Sequence, residues 1–384
     1  LKEVPLILGD LTDEQIDEFD VAVLSPGVPT DIPMVNALRD RGVKIWGEIE
    51  LAYTFGAGEI IAITGTNGKT TTTALTGEIM KNYFKDVRVV GNIGIPYTSM
   101  VTGSTVTVAE ISSFQLETID TFKPHVSAIL NITPDHLNRH HTMENYIRVK
   151  EDITKNQTAD DYCVLNYEDE VLRDFAAECP AKVIFFSSKS ELSEGFYLDG
   201  DIIIYAHDGV RDEVIDVNEL NLLGKHNFEN VMAACAMSIS FGVPMDKIVE
   251  VLKVFKAVEH RIEYVTEKRG VRFYNDSKGT NPDAAIQGIR AMNRPTLLIG
   301  GGYDKQSEYD EWIEAFDGKV KELVLIGQTA DKIEECAHRH GFMNTVKKDT
   351  FEDAVNYCYE HAVSGDAVLL SPACASWGMF PNYE

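Results

Sequence analysis

The sequence has 384 residues, 44% hydrophobic and 25% charged, which is typical of a folded protein with two or three domains. Its formal net charge of -26 argues against binding nucleic acid or an anionic membrane, because both need a basic surface. The sequence contains no apolar run of the roughly 20 residues that cross a bilayer. Six scattered cysteines without paired spacing argue against a zinc site or a disulfide framework, and they fit a cytoplasmic location.

The opening segment predicts about one and a half βα units. Residues 21–24 form a predicted strand, a Ser-Pro-Gly turn follows, and a helix is predicted over residues 34–41. The chain also begins at Leu1 rather than at methionine. We therefore interpret residues 1–55 as the remnant of a larger first domain.

Two longer segments alternate strands with helices, and this order predicts α/β architecture with mainly parallel sheets. In the first, residues 56–257, the predicted strands are 60–63, 87–90, 105–108 and 126–130, followed by a β-rich stretch at 183–217 and a helix from about His226. In the second, residues 258–384, the predicted strands are 272–274, 296–299, 323–326 and 367–370. Ligand crevices in such sheets lie at the carboxyl ends of the strands.

A glycine-rich loop, residues 65–70, follows the predicted strand 60–63 and opens a helix. Such a loop directs backbone N–H groups toward a phosphate, Lys69 reaches the terminal phosphates, and the Thr70 hydroxyl binds Mg²⁺. Ile63 stands where the usual pattern has glycine, so the match is partial. A switch GTPase is disfavoured because the sequence lacks the Asn-Lys dipeptide that reads guanine.

Acidic and imidazole side chains follow the next predicted strands on the same rim of the sheet. Glu110 follows strand 105–108, and Asp135 and His136 follow strand 126–130. Each alone is more often a solvated turn residue, but their shared placement favours a metal and phosphate site.

A helix predicted at residues 143–156 carries Lys150, which on its own is typical of a surface lysine. His140 and His141 precede this helix in a polar turn. Adjacent histidines in such a turn are usually exposed, so we expect both side chains to face solvent.

Several separated segments resemble the Mur ligase and folylpolyglutamate synthase superfamily, and 110–116 resembles its D-glutamate-adding branch. The segments that carry the resemblance are 64–71, 91–94, 110–116, 224–230, 275–281 and 370–376. The resemblance implies an α/β, three-domain Mur ligase architecture. A UDP-binding domain, incomplete here, would be followed by a P-loop ATPase domain with a mainly parallel sheet and a Rossmann-like domain that ends early.

The same resemblance implies a reaction and its participants. The enzyme would add D-glutamate to UDP-N-acetylmuramoyl-L-alanine through an acyl phosphate, giving ADP and phosphate in peptidoglycan precursor synthesis. It would use ATP and two Mg²⁺ ions, and it would act as a cytoplasmic monomer.

The resemblance also implies roles for individual residues. The implied ATP-binding residues are Gly65, Thr66, Asn67, Gly68, Lys69, Thr70, Thr71, Asn227, Asn230, Arg261 and Asp276. The implied substrate-binding residues are Ser25, Pro26, Gly27, Asn92, Ser113, Lys278, Thr280, Lys305, Ser371 and Phe380. The implied metal ligands are Thr70, Glu110, His136 and a carbamylated Lys150, and the implied catalytic residues are Lys69, His136, Lys150 and Asp135.

Two alternatives stay open. A different Mur-type ligase or a folylpolyglutamate synthase would use another amino acid, and segments 112–115 and 276–281 argue against it. A regulatory nucleotide-binding module without ligase chemistry is the alternative from another class. Phosphate release that requires D-glutamate distinguishes the three.

Overall fold

The computed structural model describes residues 6–101, 104–222, 224–256, 262–304, 306–376 and 379. The chain divides into two compact units, the first with residues up to 219 and 229–254, the second with 220–228 and the chain from 255 onward. Within the described part, no helix is long and apolar enough to cross a membrane. The domain boundaries near residues 55 and 257 stay a prediction.

The first unit contains a two-stranded and a nine-stranded sheet. Their strands are β1 Val21–Leu24, β2 Lys44–Gly47, β3 Ala57–Thr64, β4 Val87–Gly91, β5 Ser104–Glu110, β6 Val126–Ile129, β7 Tyr162–Asn166, β8 Lys182–Ser187, β9 Gly195–Asp199, β10 Ile202–His207 and β11 Val210–Asp216. The large sheet has the order β11-β10-β9-β8-β7-β6-β3-β5-β4. Only the β9-β10 and β10-β11 pairs in it are antiparallel.

The helices of the first unit connect these strands. They are α1 Asp13–Ile16, α2 Pro33–Asp40, α3 Glu48–Phe55, α4 Lys69–Tyr83, α5 Ser113–Leu116, α6 Leu137–His140, α7 Met143–Glu151, α8 Glu170–Phe175, most of α9 Lys225–Ser240, and α10 Met245–Leu252. Short 3₁₀ turns lie at Tyr97–Met100, Asp152–Thr154 and Val217–Glu219. The predicted helix over 143–156 is therefore too long, since α7 ends at Glu151.

The second unit is built on a six-stranded sheet of order β12-β13-β17-β14-β15-β16. Its strands are β12 Glu263–Lys268, β13 Val271–Asn275, β14 Thr296–Gly300, β15 Val320–Leu325, β16 Thr345–Lys347 and β17 Ala367–Leu370. Its helices are α11 Pro282–Ala291, α12 Asp310–Glu314, α13 Ala330–Arg339 and α14 Phe351–His361. All pairs except β12-β13 are parallel, which confirms the predicted α/β class.

Central strands of the nine-stranded sheet are apolar on both faces. Adjacent residues, whose side chains point to opposite faces, are fully buried in each: Ile61 and Ala62 of β3, Val108 and Ala109 of β5, and Ala128 and Ile129 of β6. A parallel sheet covered by helices on both faces needs such continuous apolar runs rather than alternation. The strand predictions succeeded here because the runs were long enough to recognise.

A buried carboxylate ties helix α3 to the loop after α5. Glu50 is fully buried, and its carboxylate accepts hydrogen bonds from the backbone amides of Asp120 (2.8 Å), Thr121 (2.8 Å) and Phe122 (3.0 Å). Through these contacts helix α3, which follows the small β1-β2 sheet, is attached to the loop that leads from α5 into β6 of the larger sheet.

We expect Glu50→Ala to lower the free energy of unfolding by about 3 kcal/mol, because three backbone amides, one of them buried, lose their acceptor. The measurement is urea-induced unfolding of both proteins. Glu78→Ala, which removes a half-exposed carboxylate on α4, serves as the control and should change stability by less than about 0.5 kcal/mol. Equal effects of the two substitutions would contradict this account of Glu50.

Candidate active site

The carboxyl ends of β3, β5 and β6 lie at one edge of the nine-stranded sheet. In the observed register, Ile63 of β3 pairs with Glu110 of β5, and Thr64 pairs with Ile129 of β6. The loops that leave these three neighbouring strands therefore begin side by side. The sequence-based prediction of a shared rim is confirmed by this register.

The loop between β3 and α4 needs glycine at two positions. Gly68 has φ +86°, and a Cβ there would lie 2.3 Å from Asn230 Oδ1. At Gly65, with φ +150°, a Cβ would lie 3.0 Å from the Cβ of Leu130. The loop delivers the chain into α4, whose first turn presents N–H groups without intrahelical partners and the positive end of the helix dipole. This arrangement suits a phosphate group.

Asn131, which follows β6, holds the loop in shape. Its carbonyl accepts from the Thr66 amide (2.9 Å), and its side chain pairs with both the N–H (2.8 Å) and C=O (3.1 Å) of Asn67. Two predicted ATP-binding residues thus direct their amides to Asn131, and their contact with ATP stays a prediction. The sequence reasoning gave Asn131 no role, because its partner lies 64 residues away.

Two lysine amines meet at the carbonyl oxygen of Gly65. Lys69 Nζ donates to Gly65 O (2.8 Å) and to Thr66 O (2.9 Å), and Lys150 Nζ also donates to Gly65 O (2.8 Å). Lys150 is only 1% exposed, so its interpretation as a surface lysine is wrong. Burial, and secondarily the charge of Lys69, hold the pKa of Lys150 well below its usual value, while Asp135 acts in the opposite direction.

Tyr146, one helical turn before Lys150 on α7, braces this helix against the loop. The phenol lies 3.0 Å from Thr66 Oγ1, and Lys150 Nζ lies 4.8 Å from the ring centroid. Thr66 Oγ1 donates to the Thr133 carbonyl (3.1 Å), so the Tyr146 hydroxyl is the donor to Thr66. Burial raises the pKa of Tyr146, which keeps that hydroxyl protonated.

Glu110, the last residue of β5, offers an oxygen suited to a cation. The side chain is 2% exposed, and its Oε1 accepts from Asn92 Nδ2 at 2.9 Å. Its Oε2 is buried and has no hydrogen-bond partner among the residues that the structure describes. An unpaired buried carboxylate oxygen is costly unless a cation binds it, and Mg²⁺ prefers such oxygens. The residues therefore fit the predicted magnesium ion.

Asp135 and His136 stand at the entrance to α6. His136 has φ +52° as the residue before the helix, and its Nε2 lies 3.5 Å from Asp135 Oδ2. Its ring centroid lies 5.0 Å from that of Phe114, four residues after Glu110. The structure thus brings His136 next to the segment that follows Glu110, and its side chain is half exposed.

The expectation of an exposed His140 is wrong, whereas His141 is exposed as predicted. His140 is 1% exposed, with Nε2 2.9 Å from Ser113 Oγ and Nδ1 3.3 Å from Glu117 Oε1. Burial lowers the pKa of His140, and Glu117 partly opposes that shift. Ser113, a predicted substrate ligand, is thereby held against a buried imidazole.

A groove runs between the turn after β1 and helix α5. Its lining includes Ser25, Pro26, Phe114 and Arg139. Arg139 donates to the carbonyl of Val28 (2.9 Å), and its guanidinium lies 4.9 Å from the Phe114 ring centroid. Two of the residues predicted to hold the sugar nucleotide thus share a groove with an arginine and an aromatic ring.

In the second unit, Asp276 and Ser371 follow the paired strands β13 and β17. Ser371 Oγ donates to Asp276 Oδ2 (2.7 Å), and the amide of Ile262 donates to Asp276 Oδ1 (3.3 Å). A Cβ at Gly279 or Gly288 would lie within 2.6 or 2.8 Å of Asp276 Oδ2. The glycine backbone therefore packs closely around the side chains of Asp276 and Ser371. The predicted contacts of these two residues with ligands stay predictions.

The remaining predicted residues occupy loops and helix starts. Lys278 and Thr280 lie between β13 and α11, Gly27 in the turn after β1, Thr70 and Thr71 in the first turn of α4, and Asn227 and Asn230 in α9. Asn230 Oδ1 accepts from Thr72 Oγ1 at 3.2 Å, so it contacts the helix of the phosphate loop. Three predicted residues lie outside the described residues, namely Arg261, Lys305 and Phe380.

The first unit is a P-loop nucleotide-binding fold, because a buried parallel strand, a glycine loop with Gly-Lys-Thr and a helix N-terminus follow one another. Comparison with protein families agrees. The Mur ligase middle domain matches residues 63–238, and the Mur ligase glutamate ligase domain matches residues 260–374.

Known proteins resemble the chain over nearly its whole length. It is 61% identical to the UDP-N-acetylmuramoylalanine–D-glutamate ligase of Lachnoclostridium phytofermentans, over 99% of this chain and 84% of the relative. The enzyme of that name from Lachnospira eligens is 58% identical over 99% and 85%. The crystal structure of MurF from Acinetobacter baumannii shares the fold, with a TM-score of 0.66 and 18% identity over 94% and 90% of the two chains. The chain therefore belongs to the Mur ligase family, which uses ATP.

The burial of Lys150 predicts how the free energy of unfolding depends on pH. Folding lowers its pKa, so between the lowered and the ordinary value the unfolded chain binds one more proton, and stability rises with pH. Lys150→Met removes this titration. We expect the parent to gain stability relative to the variant as pH rises toward the ordinary lysine pKa, by at most about 1.4 kcal/mol per pH unit.

The measurement is urea unfolding of both proteins in bicarbonate-free buffer at several pH values. Lys81→Met, at a half-exposed position of α4, is the matched control and should show no such trend relative to the parent. A parent–variant difference at Lys150 that does not change with pH would contradict the buried, titrating amine.

Proposed function

We propose that this chain joins D-glutamate to UDP-N-acetylmuramoyl-L-alanine with cleavage of ATP to ADP and phosphate. The observation that carries the proposal is the meeting of Lys69 and Lys150 at the Gly65 carbonyl, on the sheet edge that also holds Glu110. High identity to ligases with that name supports the choice of substrates. ATP availability assigns the reaction to the cytoplasm, and a monomer suffices because one chain carries all the predicted site residues.

The phosphate loop explains the first step. Lys69 and the first turn of α4 neutralise the terminal phosphates of ATP while a substrate carboxylate oxygen attacks the γ-phosphorus. The bond to ADP breaks, and an acyl phosphate forms. Such a step needs positioning and charge neutralisation more than covalent participation of the protein, and a single electrostatic donor can contribute about 3–4 kcal/mol.

The second step forms the amide. The amine of D-glutamate attacks the acyl carbon, phosphate leaves, and one proton departs from the nitrogen. Asp135 is our candidate acceptor for that proton, because it stands beside the loop and is hydrogen-bonded to the backbone of His136 (2.9 Å).

Magnesium ions would add charge neutralisation for the phosphates. Glu110 through its buried Oε2, Thr70, His136 and Lys150 are the residues that we propose hold them. Lys150 would do so as a carbamate: its uncharged amine attacks CO₂, the new N–C bond gives a carboxylate, and one proton is released. Burial favours that reaction because it lowers the pKa of Lys150 and so favours the unprotonated amine.

Other residues are proposed to bind the parts of the substrates that lie outside the phosphate site. We propose that Ser25, Pro26 and neighbouring Gly27, in the turn after β1, contact the sugar nucleotide, with Asn92 and Ser113 toward the muramoyl-alanine. We propose that D-glutamate contacts Lys278, Thr280 and Ser371, which follow β13 and β17, and also Lys305 and Phe380, which lie outside the described residues. Asn227, Asn230, Arg261 and Asp276 are proposed to contact ATP.

The test is phosphate release by the full chain with UDP-N-acetylmuramoyl-L-alanine, ATP and one amino acid at a time. We expect release only with D-glutamate. Lys69→Ala should slow it by at least about 100-fold, because the charge at the phosphates is lost. Lys81→Ala, on the same helix at a half-exposed position, is the control and should retain the parent rate.

Two outcomes would contradict the proposal. Release that depends on L-lysine or another diamino acid would assign the chain to a different Mur-type activity. Release that ignores the acceptor amino acid would favour a nucleotide-hydrolysing module.

A further inference from the structure

Three potential metal ligands of different chemistry meet in the second unit. Asp310 begins α12, Cys336 lies in α13, and His340 directly follows α13. One donor atom from each side chain lies within 4.8 Å of the other two. Cys336 and His340 are four residues apart, which places both on one face of the helix.

A second carboxylate faces the other nitrogen of the imidazole. His340 Nε2 lies 2.8 Å from Asp310 Oδ1, and His340 Nδ1 lies 3.6 Å from Glu314 Oε1. Asp310 and Glu314 are also four residues apart, so α12 presents both carboxylates to the same ring. Histidines that bind metal usually donate their second N–H to such a carboxylate, which fixes the ring and its tautomer.

We propose that Asp310, Cys336 and His340 bind one Zn²⁺ ion, with water as the fourth ligand. Thiolate, imidazole and carboxylate form a donor set that this borderline-soft ion prefers, and the two anionic ligands neutralise its charge. Zinc–ligand bond lengths require donor atoms about 3.5 Å apart. The pair His340 Nε2 and Asp310 Oδ1, now 2.8 Å apart, must therefore open, and donor atoms separated by up to 4.8 Å must move closer together. Asp310 and His340 are partly exposed, which leaves them room to move.

Binding requires a defined exchange of protons and hydrogen bonds. The Cys336 thiol releases its proton to solvent as the S–Zn bond forms. The proton of His340 must reside on Nδ1, facing Glu314, so that Nε2 can bind the metal. Asp310 exchanges its hydrogen bond from His340, and its ion pair with Arg339 (3.0 Å), for the metal.

Arg339 therefore competes with the metal for Asp310. Substitutions at this site should change the metal affinity in two opposite directions. Removing a ligand should weaken binding, whereas Arg339→Gln should strengthen it because the competing cation is gone. The spacing of the cysteines in the sequence does not reveal such a site, because only one of the three proposed ligands is a cysteine.

The test is a Co²⁺ titration of the full chain in excess Mg²⁺, followed through the thiolate-to-cobalt charge-transfer absorption. Zn²⁺ should displace the cobalt with one equivalent. We expect His340→Gln and Asp310→Asn to weaken binding at least about 10-fold, and Glu314→Gln to weaken it by about 10-fold. The matched control is His338→Gln, which changes a histidine two residues away that lies 3.2 Å from Thr345 Oγ1 and should bind like the parent.

The thiolate-to-cobalt absorption band distinguishes this site from the proposed magnesium site, because the proposed magnesium ligands include no cysteine. Absence of the band in the parent would overturn the proposal, as would unchanged cobalt affinity in His340→Gln and Asp310→Asn. Circular dichroism establishes that each variant is folded. These two side chains are partly exposed, so the decision does not depend on replacing the buried Cys336.

Discussion

A single carbonyl oxygen, that of Gly65, accepts hydrogen bonds from two lysine amines, and much of the first unit is organised around it. Bringing two amines to one point is unfavourable when both are charged, because they repel and one lies away from water. Burial lowers the pKa of Lys150, and this reduces the repulsion because it favours the uncharged amine. The same burial makes the uncharged, nucleophilic form of the Lys150 amine easier to reach than in a surface lysine.

Holding that geometry requires neighbours that play no part in the reaction. Asn131 fixes the loop backbone from the adjacent strand, and Tyr146 fixes α7 through Thr66. Glycines 65 and 68 allow the turn and leave room for Leu130 and Asn230. The site is therefore rigid because elements distant in sequence share hydrogen bonds there, which is the support that a positioned active site needs.

The sequence predicted those features whose signal is local. The apolar run at 60–63 with Gly-Lys-Thr after it indicated the phosphate loop, and residues following strands indicated the rim that carries Glu110 and His136. Features that depend on distant partners were missed or wrong. The spacing of Lys150 does not reveal that α7 directs this side chain to the Gly65 carbonyl, and His140 looked exposed because its partners Ser113 and Glu117 lie more than 20 residues away.

We propose that Lys69, Glu110 and His136 surround the terminal phosphate of one bound nucleotide. The most direct test of this proposal is a crystal structure of the full chain with a non-hydrolysable ATP analogue and Mn²⁺ in place of Mg²⁺. We expect anomalous density for manganese between Glu110 and the terminal phosphate, beside Lys69, and extra density on Lys150 Nζ. Manganese and nucleotide in separate places, with Glu110 facing neither, would contradict it.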